Sequence, residues 1–169
     1  ARDRAGEKPL YYGWQKNTFL FSSELKAMKV HPSFDGEINR EAIKMLMEHS
    51  CIPAPHSIYR NIFKLLPGKI LTLNFNLYGK EGFESIENYW SIEDLIKDAK
   101  TNPFQGNIQD AKTKLHDFLT ASISSQMISD VPIGAFLSGG IDSSLIVSLM
   151  QANSLNPINT FTIGFSEDK

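Results

Sequence analysis

Phe136-Leu137-Ser138-Gly139-Gly140-Ile141-Asp142-Ser143-Ser144, FLSGGIDSS, joins an apolar run to an amphipathic one. Its small polar residues therefore fall on a strand-to-helix turn. Backbone N–H groups of Gly139, Gly140 and the first helical turn have no intrahelical acceptor there, and the helix dipole adds partial positive charge, so the turn suits an anion such as a phosphate. The two glycines allow close backbone approach, and the hydroxyls of Ser138, Ser143 and Ser144 can donate to phosphate oxygens. Asp142 is the only charge in the stretch. Beside phosphates a lone carboxylate repels unless a divalent cation such as Mg²⁺ lies between, which makes Asp142 the candidate metal ligand.

The flanking residues extend this turn into a unit. Upstream, Ile133 to Leu137 is expected to be a short strand buried on both faces, as parallel sheets require. Downstream, a helix is expected from about Ser143 to Ala152, and the β-branched and aromatic run Thr160 to Phe165 gives a second strand. Together they predict a β-loop-α-β unit with a right-handed crossover, the start of a nucleotide-binding α/β domain. Before it, Ala111, Leu115, Phe118, Leu119, Ile123 and Met127 keep a period near 3.6 and predict a long helix from Ile108, capped by Asn107 or Asp110 and stopped by Asp130-Val131-Pro132.

Further upstream the chain changes character. Lys8 to Tyr12 and Thr18 to Ser22 predict a hairpin, and Ser23 to Met28 a short helical turn. Asn39 can cap a helix from about Arg40 to His49 whose apolar stripe is Ile43, Leu46 and Met47. Ile52 to Ser57 is proline-rich connection, Leu66-Pro67-Gly68-Lys69 a turn, and Ile70 to Phe75 a strand. Residues 91–107, with charges, Asn102-Pro103 and Gly106, are expected to link two domains, residues 1–90 and 108–169. There are no internal repeats.

Composition bounds the function. The 169 residues are 41% hydrophobic, enough for one ordinary core or parts of two. A net charge of −2 gives no basic field for nucleic acid or membrane. A single cysteine, Cys51, excludes an internal disulfide framework and fits a reducing cytoplasm. Its place between a helix and a proline-rich turn predicts a buried structural thiol. His31, His49, His56 and His116 lack ligand spacing, so no zinc site is expected. Arg2, Asp3, Arg4, Glu7 and Lys8 are expected to orient a tight turn and the domain interface through paired charges, Glu24, after two serines at a strand end, to hold the floor of its domain together, and Lys112, Lys114 and Asp117 to form a solvated helix face.

FLSGGIDSS lacks the lysine and spacing of a Walker A loop and the GxGxxG of dinucleotide domains. It resembles the pyrophosphate-binding loop of the N-type ATP pyrophosphatases, which cleave ATP between the α and β phosphates to adenylate a substrate. Asparagine, GMP, NAD and argininosuccinate synthetases and RNA thiolation enzymes share that loop. The upstream residues narrow the choice. ARDRAGEKPLYYG at Ala1 to Gly13, SSELKAM at Ser22 to Met28, IPAPHSIY at Ile52 to Tyr59, LLPGK ending at Lys69 and SDVPIGAFLSGGIDSS at Ser129 to Ser144 closely resemble the glutamine-hydrolysing asparagine synthetases of bacteria, and TFTIGF at Thr160 to Phe165 continues the likeness.

The resemblance implies an α+β and α/β fold class. Residues 1–90 would be the rear of an N-terminal-nucleophile αββα glutaminase domain, and residues 108–169 the first β-loop-α-β unit of a PP-loop parallel-sheet domain. It also implies an activity in the parent protein: glutamine-derived ammonia travels through a tunnel to an aspartate activated by ATP and Mg²⁺ as an acyl-adenylate. The ATP-binding residues would be Leu137, Ser138, Gly139, Gly140, Ile141, Asp142, Ser143, Ser144 and Ile163, with Leu137 and Ile163 flanking adenine and ribose. ATP, aspartate and glutamine would be the small-molecule partners, of a parent that could be a homodimer, with no nucleic acid or membrane. Relatives that amidate other carboxylates, in surface polysaccharides or β-lactam formation, share the architecture. The family's nucleophile is a cysteine at the mature N-terminus, whereas residue 1 here is Ala. No catalytic residue is therefore assigned, and the chain is expected to be an inactive fragment between the glutaminase site and the aspartate site.

Overall fold

The computed structural model describes residues 1–75 and 82–164, the side chains of Phe75 and residues 82–84 excepted. The described residues divide into two compact units, with the boundary between Pro103 and Phe104.

The first unit is built on antiparallel pairing. β1 (Tyr11–Gln15) pairs with β2 (Thr18–Ser22) in the register Tyr11↔Ser22 to Gln15↔Thr18. The hairpin predicted from the sequence is present, but Gly13-Trp14-Gln15 belongs to the strand. Lys16 and Asn17 alone make the turn, with Lys16 at φ 56° in the left-handed region that such turns need. On its other edge β1 pairs with β3 (Phe63–Lys64), completing the order β2-β1-β3. Gly13 permits this: a Cβ there would stand 1.9 Å from the carbonyl oxygen of Asn61. Leu20, Met28 and Ile62 are buried together, with Tyr11, Leu25, Phe34 and Tyr59 packed around them.

Two helices lie between β2 and β3 in the sequence. α1 (Leu25–Lys29) is a single short turn. α2 (Arg40–His49) starts where Asn39 accepts a hydrogen bond from the Glu41 N–H and stops at Ser50, in the left-handed conformation at φ 57°. Its expected stripe is not a core face: Ile43 and Leu46 are about 40% exposed and Met47 80%, while Ala42 is fully buried. β4 (Lys69–Phe75) pairs along its full length with β5 (Gly82–Asn88), a strand that the sequence did not announce. The stretch expected to link the domains contains a helix, α3 (Ile92–Thr101), capped by Ser91, whose hydroxyl accepts from the Asp94 N–H.

In the second unit, α4 (Ile108–Gln126) opens with a reciprocal cap. The Asn107 side chain accepts from the N–H groups of Gln109 and Asp110, and the Asp110 carboxylate accepts from the Asn107 N–H. β6 (Gly134–Phe136), α5 (Ile141–Ala152) and β7 (Asn159–Phe161) follow, and the two strands pair in parallel from Gly134↔Asn159 to Phe136↔Phe161. Ile123 of α4 and Leu149 and Met150 of α5 form the core, with Ile133, Ala135 and Ile158 against it. β6 is not buried on both faces as expected, since Gly134 is exposed and Phe136 is 78% exposed; only the face carrying Ala135 meets the helices. β7 is shorter than the predicted strand, and Phe165 lies outside the described residues.

Candidate functional site

The FLSGGIDSS stretch leaves β6 at Leu137 and enters α5 at Ile141, two residues earlier than predicted. Gly139 makes the reversal at φ 78°, and a Cβ there would meet nothing within 4 Å, so the glycine is required by backbone conformation and faces open space. Gly140 is the N-cap of α5. The N–H groups of Ile141, Asp142 and Ser143 lack an intrahelical acceptor, as at any helix start, and no side chain caps them; the first intrahelical donor is Ser144, 3.1 Å from the Gly140 carbonyl. Open donors at a helix N-terminus beside a glycine turn can hold an anion.

The hydroxyls of the turn bond within it. Ser143 Oγ donates to the Gly140 carbonyl at 3.1 Å and Ser144 Oγ to the same oxygen at 2.8 Å. Ser138 Oγ lies 3.1 Å from Ser143 Oγ, which also accepts from the Ser138 N–H at 3.4 Å. The serines therefore brace the loop. To donate to phosphate they must exchange these bonds, whereas the backbone donors need no such exchange.

Asp142 sits in the first turn of α5 with an exposed carboxylate. Among the described residues no cluster of three or more His, Cys, Asp or Glu could hold a metal by itself. One exposed carboxylate beside an anion site nevertheless fits Mg²⁺, which takes one or two carboxylates and completes its shell with phosphate oxygens and water.

Leu137 and Ile163 end the two strands. The Leu137 N–H continues the ladder to the Phe161 carbonyl at 2.9 Å, and its carbonyl accepts the Thr162 hydroxyl at 2.6 Å. Both Leu137 backbone groups are thus engaged, with one carbonyl lone pair left. Ile163 is 74% exposed, and its N–H donates to no acceptor among the described residues. Thr162 was not picked out by the sequence, because a single Thr at a strand end carries no pattern; only the hydrogen bond distinguishes it.

In the first unit Arg2 and Asp3 of the charged N-terminal cluster work through hydrogen bonds to the backbone rather than through the paired charges expected. Arg2 donates from Nε to the Lys8 carbonyl at 3.0 Å, from Nη1 to that of Leu65 at 2.7 Å and from Nη2 to that of Gly6 at 2.8 Å. Asp3 accepts from the N–H groups of Glu7 and Lys8, and the first of these bonds is the main cause holding its carboxyl below the ordinary value of 3.8. Glu24 is exposed and pairs with Lys26 at 2.7 Å. Cys51 is exposed, not buried as expected, because the proline-rich connection after α2 runs over the surface. Burial lowers the pKa of Lys64, whose ammonium donates to the Ile52 carbonyl. An open, mostly apolar cleft of about 510 Å³ is lined by Leu10, Tyr12, Phe19, Phe21, Leu71 and Leu73.

Residues 1–90 match the family model of a glutamine amidotransferase domain, and residues 114–169 match that of asparagine synthase. Over 98% of its length the chain is 39% identical to a putative asparagine synthetase [glutamine-hydrolyzing] 2 of Methanocaldococcus jannaschii, covering 30% of that protein. Over 99% of its length it is 34% identical to asparagine synthetase [glutamine-hydrolyzing] 1 of Bacillus subtilis and 30% identical to the enzyme numbered 3, covering 24% and 26% of them. The chain therefore spans only 24–30% of the length of these relatives. Among the described residues no helix is long and apolar enough to cross a membrane.

Proposed function

Because the chain belongs to the glutamine-hydrolysing asparagine synthetase family, we propose that its protein adenylates aspartate with ATP and amidates the product with ammonia released from glutamine. The observation that carries the ATP half is the turn between β6 and α5, with Gly139 at φ 78° and three first-turn N–H groups without an intrahelical acceptor.

A carboxylate is a poor electrophile. Attack by one of its oxygens on the α-phosphorus of ATP forms a mixed anhydride and breaks the bond to the β-phosphate oxygen, so that pyrophosphate departs. Ammonia then displaces AMP from the activated carbonyl. Charge grows on the departing pyrophosphate, and the fixed N–H groups of Ile141, Asp142 and Ser143 are already oriented to meet it, which lowers the barrier without reorganisation. Asp142 would hold Mg²⁺, which when bound neutralises phosphate charge and polarises the phosphorus–oxygen bond. Leu137 and Ile163 would flank adenine and ribose. The glutaminase half rests on the match of residues 1–90, in which Cys51 is internal and so lacks the free α-amino group that serves a terminal cysteine as base. A reducing cytoplasm suits a chain with one exposed thiol.

One observation favours a second reading of residues 1–169 taken alone. Phe136, Ile141 and Ile163 are 78%, 87% and 74% exposed, so these residues build a cradle open to water, and the isolated chain at most binds a nucleotide weakly. The experiment is Asp142→Ala in the complete protein. Pyrophosphate release should be lost while glutamine hydrolysis persists; asparagine synthesis at the unsubstituted rate would overturn the adenylation reading. Offering other carboxylates in place of aspartate tests the acceptor.

A further inference from the structure

Parallel strands bond alternately: a residue that donates its N–H to one neighbour accepts at its carbonyl from the residue two further along the partner strand. Leu137 donates to Phe161 at 2.9 Å, so the regular acceptor bond would come from the N–H of Ile163. That rung is not made. The Leu137 carbonyl instead accepts the hydroxyl of Thr162 at 2.6 Å, a short O–H···O contact, and the Ile163 N–H has no acceptor among the described residues. Both ends of this substitution lie beside the β6–α5 turn, whose first-turn N–H groups are equally open.

We propose that Thr162 is a positioning residue for the nucleotide site: its hydroxyl replaces the last backbone rung of the β6–β7 ladder and so holds the Ile163 N–H open as a donor for the nucleobase. This rests on the adenylation reading above. A single N–H on a strand end reads an acceptor atom, which the unprotonated ring nitrogen at position 1 of adenine offers and the N–H at that position of guanine does not. The hydroxyl also satisfies the Leu137 carbonyl, so the open N–H is not gained by leaving a carbonyl without a donor. Valine in place of Thr162 keeps the branched shape and removes the donor. The Leu137 carbonyl is then free to take the Ile163 N–H, and the rung closes.

The test uses the complete enzyme. Thr162→Val should raise KM for ATP roughly three- to tenfold, the worth of one uncharged hydrogen bond, with kcat at saturating ATP changed less than about twofold. Thr162→Ser, which restores the hydroxyl, should return KM to the unsubstituted value. A KM unchanged in Thr162→Val, or Thr162→Ser no better than Thr162→Val, overturns the proposal. Should Thr162→Val fail to fold, hydrogen exchange in the unsubstituted enzyme decides: the Ile163 amide should exchange freely without nucleotide and become protected with ATP, and protection already present without nucleotide means that the rung is closed and the proposal wrong. If the unsubstituted enzyme binds no ATP at all, the adenylation reading falls, an outcome separate from the others.

Discussion

The guanidinium of Arg2 donates to the carbonyl of Leu65 at 2.7 Å, across 63 residues of sequence, while its other nitrogens take the carbonyls of Lys8 and Gly6. One side chain thereby fixes the N-terminal turn to the segment that leads into β4. Hydrogen bonds from a charged donor are each worth more than neutral ones, and the carbonyls left behind lose their partner. Arg2→Ala should cost about 2–3 kcal/mol in denaturant unfolding of the first unit. Arg2→Lys should recover only part of it, because an ammonium cannot present the planar fork that reaches three carbonyls. Equal midpoints for Arg2→Lys and the unsubstituted chain would refute this role.

Asp3 gives the same turn a pH dependence. Its carboxylate accepts the N–H of Glu7 at 2.9 Å, the chief cause of a folded-state pKa below the ordinary 3.8; desolvation opposes it, and the Lys8 N–H at 3.2 Å adds to the lowering. A depressed pKa means stability present above the unfolded value and lost as pH falls through the folded one. Thermal melts taken downward from about pH 5 should therefore show a loss of stability that Asp3→Asn reduces, since the amide does not titrate. A slope unaffected by the substitution would exclude Asp3 as its source.

Two glycines separate packing from conformation. A Cβ on Gly13 would overlap the Asn61 carbonyl oxygen at 1.9 Å, and backbone on an inner strand cannot move aside cheaply. Gly13→Ala should destabilise the first unit by about 3 kcal/mol or more. At Gly139 a Cβ meets nothing within 4 Å, so Gly139→Ala pays only for the left-handed conformation, about 1–2 kcal/mol. Its larger effect should be on KM for ATP in the complete enzyme, because the methyl group enters the space where phosphate would lie. The pair fails as an explanation if Gly139→Ala binds nucleotide normally.

Local signals in the sequence carried far. Asn39 and Asn107 announced their helices because a cap is a contact between near neighbours, and the two glycines of the loop announced the turn between β6 and α5 for the same reason. Burial was less legible. Phe136 and Met47 belong to apolar patterns and yet are 78% and 80% exposed, since pattern states which face is apolar and not what covers it. β5 carries Glu84, Ser85 and Glu87, and its pairing with β4 rests on register across strands, which no local period encodes. The Ser91 cap and the acidic first turn of α3 were present to be read, but the charges around them resemble those of a linker. Thr162 depends on a partner 25 residues away.

Cys51 follows the left-handed Ser50 that ends α2, in a connection whose prolines prevent the helix from continuing, and its side chain is exposed. A thiol in that position should react in the native state with an aromatic disulfide reagent at a rate close to that of the unfolded chain, one equivalent per chain. A buried thiol would react only as fast as the protein opens, so a rate that rises steeply with denaturant and starts near zero would contradict the exposed placement. Because the thiol is exposed, Cys51→Ser should leave the unfolding free energy within about 0.5 kcal/mol of that of the unsubstituted chain.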